Sequence, residues 1–197
     1  MNISFLGKIP VASCNVYDKQ QNKYVNAIFS EYDCKDIEDI EEVGDLDMSW
    51  DFRDLYTSGM HEKFLKKDTQ KPITDTNYYC MQNPNGDVIG VCKTKSTDDE
   101  IGVKLITSER DGKYKYVGYT MLAALAGLVL LGNKEKLAIK AALSDVCGYY
   151  KDVCGFRECY SPMKYLGINF EINAEEAQAF IKRVEEKTKG EMVNFIG

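Results

Sequence analysis

The chain has 197 residues, 44% of them hydrophobic and 28% charged. That is enough for an apolar core without disulfide or metal staples. A formal charge of −6 argues against sequence-independent nucleic-acid binding. A single histidine, His61, excludes a multi-histidine metal site. The seven cysteines include no CxxC pair, so neither a zinc ribbon nor a thioredoxin-like site is indicated, and no metal is expected. Scattered cysteines fit a reducing compartment, and the cytoplasm is the expected location. Neither a signal peptide nor a lipidation motif is present. The longest apolar run, Met121 to Leu131, is too short to cross a bilayer.

In chain order, residues 9–34 read as two strands. Val11–Tyr17 leads through the polar turn Asp18–Asn22 into the β-prone run Tyr24–Tyr32. Asp36 to Asp47 holds seven acids and no base, so the rest of the chain sums to +1 (−6 minus −7). Ile37, Ile40 and Val43 give that stretch a helical stripe, and a second helix is expected over Phe52–Lys67. From residue 77 the pattern sharpens. Tyr78–Met81, Val88–Lys95 and Ile101–Ser108 predict three antiparallel strands, joined by the turns Asn83–Asp87 and Asp98–Glu100. A basic loop, Arg110–Lys115, precedes a long helix over Val117–Leu131, ended by Gly132-Asn133. Lys136–Ala142 is a strand, and strand–helix–strand implies a parallel crossover. Ser144 caps a short helix through Val153, and Phe156–Tyr160 and Lys164–Phe170 are extended. Asn173 and Glu176 form a capping box for a last helix through Lys187, with Ala177, Phe180, Ile181 and Val184 inward.

The unit that carries chemistry is strand, basic loop and helix at 101–131. A helix start presents unpaired N–H donors and partial positive charge, which receive phosphate. Arg110, Lys113 and Lys115 add cations, and Gly118 permits close approach in the first turn. Neither the Walker spacing nor GxGxxG is present.

The order of elements over about residues 75–170 resembles the GNAT N-acyltransferase superfamily. In that family the helix opening reads Arg/Gln-x-x-Gly-x-Gly/Ala, then an apolar pair. Here Lys113 stands for Arg or Gln and Tyr116 for the first Gly, while Gly118, Met121 and Leu122 keep the pattern. A second family block, ending in Phe-Tyr-x-x-x-Gly-Phe, is similar to Ser144–Phe156, where Tyr149-Tyr150 and Gly155-Phe156 keep its character. Pro162–Leu166 looks like the closing strand.

The resemblance implies an α+β fold, with a mixed, mostly antiparallel central sheet flanked by helices. An N-terminal hairpin and a C-terminal helix are added. It implies one GNAT-like domain over 1–197. Residues 1–75 supply the hairpin and acceptor-side helices, 76–170 the acyl-CoA core and 171–197 the last helix. It implies an N-acyltransferase that moves acetyl from acetyl-CoA to a primary amine by direct attack. The alternative is a catalytically degenerate binding or regulatory module. The pantetheine would meet the backbone of Ile106, Thr107 and Ser108. The diphosphate would meet Lys113, Tyr114, Lys115, Tyr116, Val117, Gly118, Tyr119 and Thr120. Tyr150 is the candidate general acid, with Tyr149 second. Counting back from Phe156 without a gap puts Lys151 in that place instead, and a one-residue insertion near Val153-Cys154 restores Tyr150. Glu109 is the candidate base. Cys147 and Cys154 lie near the expected site, but a cysteine nucleophile would want a base nearby. The acidic stretch beside Trp50, Phe52 and Tyr56 suits a cationic amine acceptor. The hairpin either extends the sheet or pairs with a second subunit.

Overall fold

The computed structural model of the protein describes residues 8–32, 76–108, 112–142, 144–160 and 167–195. The helices expected over 36–47 and 52–67 lie outside these residues, as do Glu109, Trp50, His61 and Pro162–Leu166.

Strands β1 (Lys8–Asp18) and β2 (Lys23–Tyr32) form the expected hairpin. Its turn is fixed by Asp18, whose Oδ1 accepts from the N–H groups of Gln20 and Gln21, each at 2.9 Å. Strands β3 (Thr76–Gln82), β4 (Val88–Ser96) and β5 (Glu100–Ser108) form the predicted meander. Asn83 holds the first turn through Oδ1, which accepts from the N–H groups of Asn85 and Asp87. A two-residue strand, β6 (Tyr114–Lys115), leads into helix α1 (Val117–Leu131). Then come β7 (Lys136–Ala142), β8 (Arg157–Cys159), β9 (Ile168–Asn173), helix α2 (Ala174–Thr188) and β10 (Val193–Asn194).

One sheet runs in the order β10-β1-β2-β3-β4-β5-β7-β9-β8, with β6 beside β1. Among the described residues, only β5 and β7 pair in parallel. The fold is therefore α+β with a mixed, mostly antiparallel sheet, as the element order implied. The hairpin extends this sheet.

Helix α1 is buried almost all round, from Val117 to Val129, because the sheet covers one side and α2 the other. That is why alanines fill its second face. It ends at Gly132-Asn133, as the sequence predicts. The left-handed residue is Asn133 (φ 49°), not Gly132 (φ −82°). Lys134 N–H bonds to Val129 C=O and Asn133 N–H to Leu130 C=O, the Schellman pattern. Helix α2 starts with the predicted capping box, Asn173 and Glu176 bonding reciprocally at 2.8 Å. It buries Ala177, Phe180 and Val184, with Ile181 at the margin. Tyr119 of α1 meets Phe180 edge-on, with ring centroids 5.3 Å apart. A smaller cluster, Tyr32, Tyr78, Cys80 and Val91, occupies the opposite sheet face.

Close approach of α1 to β4 depends on Gly90. A Cβ there would stand 2.6 Å from Met121 Sδ and 2.7 Å from Val117 Cγ1. The methionine end can swing aside, but the β-branched valine cannot. Gly90→Ala is therefore expected to lower stability by about 1–3 kcal/mol, read as a lower midpoint in thermal unfolding. An unchanged midpoint would show that α1 has room to move.

Candidate functional site

The pairing of β5 with β7 stops early. Residues Glu100, Ile101, Gly102 and Val103 pair with Lys136, Leu137, Ala138 and Ile139, and the register ends there. Both strands continue, β5 to Ser108 and β7 to Ala142. The cause is local. On the other edge of β5 the register with β4 slips between Lys93–Leu105 and Thr94–Val103, which leaves Lys104 as a bulge. A bulge bends its strand and sharpens its twist. Beyond Val103, the β5 backbone groups that face away from β4 therefore have no strand partner among the described residues.

A cavity of about 650 Å³ opens at this divergence, lined by the end of β5, the start of α1 and the Tyr149–Val153 turn. Helix α1 points its N-terminus into it without a side-chain cap and with no acid in the first turn. Its first N–H groups are therefore available to a ligand. Lys19, Lys115 and Lys187 stand among the lining residues, and among the described residues that line it there is no carboxylate. The deeper lining is apolar: Leu122, Val146 and Val153. Such a site suits a long ligand with an anionic end and an uncharged tail.

Tyr116 shows what the missing family glycine did. It caps α1 in the left-handed conformation, φ 70° and ψ 9°. That region costs a side-chain-bearing residue roughly 1–2 kcal/mol, which is why glycine suits the place. Here the helix bond from Thr120 N–H to Tyr116 C=O is made at 2.9 Å. The Tyr116 ring lies against the core and beneath the Lys187 ammonium, 5.5 Å from the ring centroid. It forms part of the cavity wall.

The expected helix over 144–153 forms, with an irregular pitch. It begins as a 3-10 turn, Ser144–Val146, and ends as a π-helical turn, Tyr149–Val153. Cys154 N–H bonds to Tyr149 C=O at 3.0 Å, across five residues rather than four. A π turn is the form an extra residue takes inside a helix. With it, Tyr150 lines the cavity and Lys151 is exposed. Gly155, at φ 73°, then turns the chain so that Phe156 is buried against Phe180.

Tyr150 is 7% exposed and packs against Phe156 and Phe170. Among the described residues its hydroxyl has no hydrogen-bond partner. Burial pushes its phenol well above the ordinary range, so it holds its proton at neutral pH. Tyr149 is raised too, first by burial and then by the neighbouring Cys154. Burial also lifts the Cys154 thiol, to about 12, so it is no nucleophile near neutral pH.

Of the residues expected to meet the donor, Ile106, Thr107, Ser108, Tyr114, Lys115, Tyr116, Val117, Gly118 and Tyr119 line this one cavity. Thr120 faces inward and bonds to the carbonyls of Tyr116 and Val117. Lys113 is turned away. Its ammonium lies 3.0 Å from the buried carboxylate of Asp18. Two further lining lysines, Lys19 and Lys187, escaped the sequence reading. Each lies far along the chain from the helix start, and the only trace of Lys187 was its place three residues beyond inward-facing Val184.

The Asp18–Lys113 pair fastens the phosphate-type loop to the hairpin, beside the bond from Lys19 N–H to Lys113 C=O and the β1–β6 pairing. Burial alone would raise the Asp18 carboxyl. The Gln21 N–H, Lys113 and the Gln20 N–H outweigh it and hold the group below its usual value. A carboxyl depressed in the folded state stabilises above its unfolded value and loses that contribution as pH falls. Asp18→Asn should therefore lower the unfolding midpoint at neutral pH, and the deficit should shrink below pH about 4. A deficit independent of pH would contradict the ion-pair account.

Among the described residues, no helix is long and apolar enough to cross a membrane. No protein-family model and no curated protein matches the sequence. Solved structures do match. A GNAT-family protein from Desulfovibrio desulfuricans superposes with a TM-score of 0.58 at 12% identity, over 75% of this chain and 99% of its own. A spermidine N-acetyltransferase variant from Vibrio cholerae gives 0.54 at 11% identity, over 77% and 95%. A GNAT-family acetyltransferase from Staphylococcus aureus gives 0.52 at 13% identity, over 75% and 99%. The chain therefore has the GNAT, or acyl-CoA N-acyltransferase, fold.

Proposed function

We propose that this protein is an acyl-CoA-dependent N-acyltransferase that transfers acetyl from acetyl-CoA to a primary amine, on a small molecule or a protein. One observation carries the reading. The only parallel strand pair among the described residues separates at Val103 and Ile139, above a cavity entered by an uncapped helix start and flanked by lysines. The fold it shares with known acetyltransferases supports it.

In this reading the α1 N–H groups and nearby lysines hold the diphosphate. The unpartnered β5 backbone between Ile106 and Ser108 pairs with the pantetheine amides. The thioester comes to rest by Tyr150. An amine attacks the carbonyl directly, a C–N bond forms and the C–S bond breaks. Tyr150 gives its proton to the departing sulfur and regains one from the nitrogen. Burial keeps the phenol protonated beforehand and makes a bare thiolate costly in the same place. Glu109, just past β5, is retained as the base that takes one proton from the incoming ammonium before attack, so that the free amine is the nucleophile.

The occupation of a glycine position by Tyr116 favours a second reading, a binding module without turnover. Thiol release from acetyl-CoA over a panel of primary amines, polyamines and lysine peptides separates the two. The enzymatic reading expects release that depends on the acceptor. Binding of acetyl-CoA without acceptor-dependent release would establish the module instead.

A further inference from the structure

We propose that Lys187, carried by the C-terminal helix, is a phosphate ligand that grips the nucleotide-linked diphosphate of the acyl donor. The inference rests on the acyl-CoA reading above and deepens it. Helix α2 lies outside the part of the chain whose motifs resemble the acyltransferase core, so no motif points to this lysine.

The placement is specific. The Lys187 ammonium stands 5.5 Å from the ring centroid of Tyr116 and 5.2 Å from that of Tyr119. These residues flank the first turn of α1, and all three line the cavity. A cation over the positive end of a helix is unfavourable by itself. Lys115 lines the same cavity. The two tyrosine faces hold the ammonium, and an anion at the helix start would meet both this charge and the first N–H groups of α1. A separate feature shows that the cavity is shaped for a ligand. The buried Tyr150 side chain faces into it with a hydroxyl that bonds to none of the described residues.

The hairpin fixes where α2 ends. The Tyr24 hydroxyl donates to Lys187 C=O at 3.0 Å, and Asn15 Nδ2 donates to Lys189 C=O at 3.2 Å. These carbonyls belong to the last turn and its cap, which a helix leaves unpaired. Segments at both ends of the chain thus converge on the mouth of the cavity and set Lys187 over it.

The test is calorimetric titration of the full chain with CoA and with inorganic pyrophosphate, at several salt concentrations. Lys187→Met keeps the stem over the tyrosine rings and removes the charge. It should weaken both ligands about tenfold, as loss of one charge-assisted contact does, and flatten the salt dependence. The thermal midpoint should stay at the wild-type value, and Lys187→Arg should recover most of the affinity. Unchanged affinity in Lys187→Met, or a loss with the salt dependence intact, would overturn the proposal. Wild-type protein that binds pyrophosphate through Lys187 but not CoA would keep the anion site and remove the acyl-CoA reading. Wild-type protein that binds neither removes both.

Discussion

Tyr150→Phe is expected to lower kcat by about a hundredfold to ten-thousandfold, the usual contribution of a positioned general acid, with acetyl-CoA affinity near wild type. The π turn directs Tyr150 into the cavity, where Phe156 and Phe170 fix the ring. The substitution removes one oxygen and keeps these contacts, so the fold should tolerate it. Since the hydroxyl meets its partner only when sulfur departs, the loss should fall on kcat and not on binding. Tyr149→Phe provides the contrast. That hydroxyl is influenced by the neighbouring Cys154 and stands near Gly118. Its loss should cost little turnover. A full rate in Tyr150→Phe with a large loss in Tyr149→Phe would move the acid by one residue.

Gly118→Glu should abolish measurable CoA binding, a loss of at least about a hundredfold, or ~2.7 kcal/mol. A Cβ at Gly118 meets nothing nearer than the Tyr149 hydroxyl at 3.9 Å, so the backbone has room for it. A carboxylate in the first turn of a helix even favours the folded state, by about 0.3–1 kcal/mol. The variant should thus unfold at or above the wild-type temperature while losing its ligand. The same negative charge would sit where the diphosphate is expected, with like-charge repulsion in a half-enclosed space. Gly118→Ala should bind only slightly more weakly. Retained affinity in Gly118→Glu would place the phosphate elsewhere.

Much of this architecture was legible because local signals agreed. The limits of α1 and β7 follow from an apolar run bounded by Gly132-Asn133 and by a basic loop. The Asn173–Glu176 box marks the start of α2. The parallel crossover follows from strand–helix–strand order. What escaped depends on contacts between distant segments. The β6 strand exists because Tyr114 and Lys115 meet Asp18 and Tyr17 of β1, and two residues have no periodicity to read. Likewise β10 pairs only through Val193 and Asn194 with Ser13 and Ala12. The π turn was legible only as a mismatch in counting. Lys113 looked like a phosphate ligand by position in the loop. A buried acid nearly a hundred residues earlier claims it, and lysines from β1–β2 and α2 stand in the cavity instead.

Charge also divides the molecule in a way composition hides. The net −6 arises from one stretch, Asp36–Asp47, and the remainder carries +1. The lysines around the cavity therefore act on an anionic ligand against an almost neutral background, and salt should weaken binding.

Isothermal titration of the wild-type protein with acetyl-CoA is the decisive measurement. Saturable one-to-one binding is expected, shared by CoA, weakened by salt and absent in a Gly118→Glu variant that melts no lower than wild type. A folded protein that takes up neither acetyl-CoA nor CoA would contradict the acyl-CoA reading.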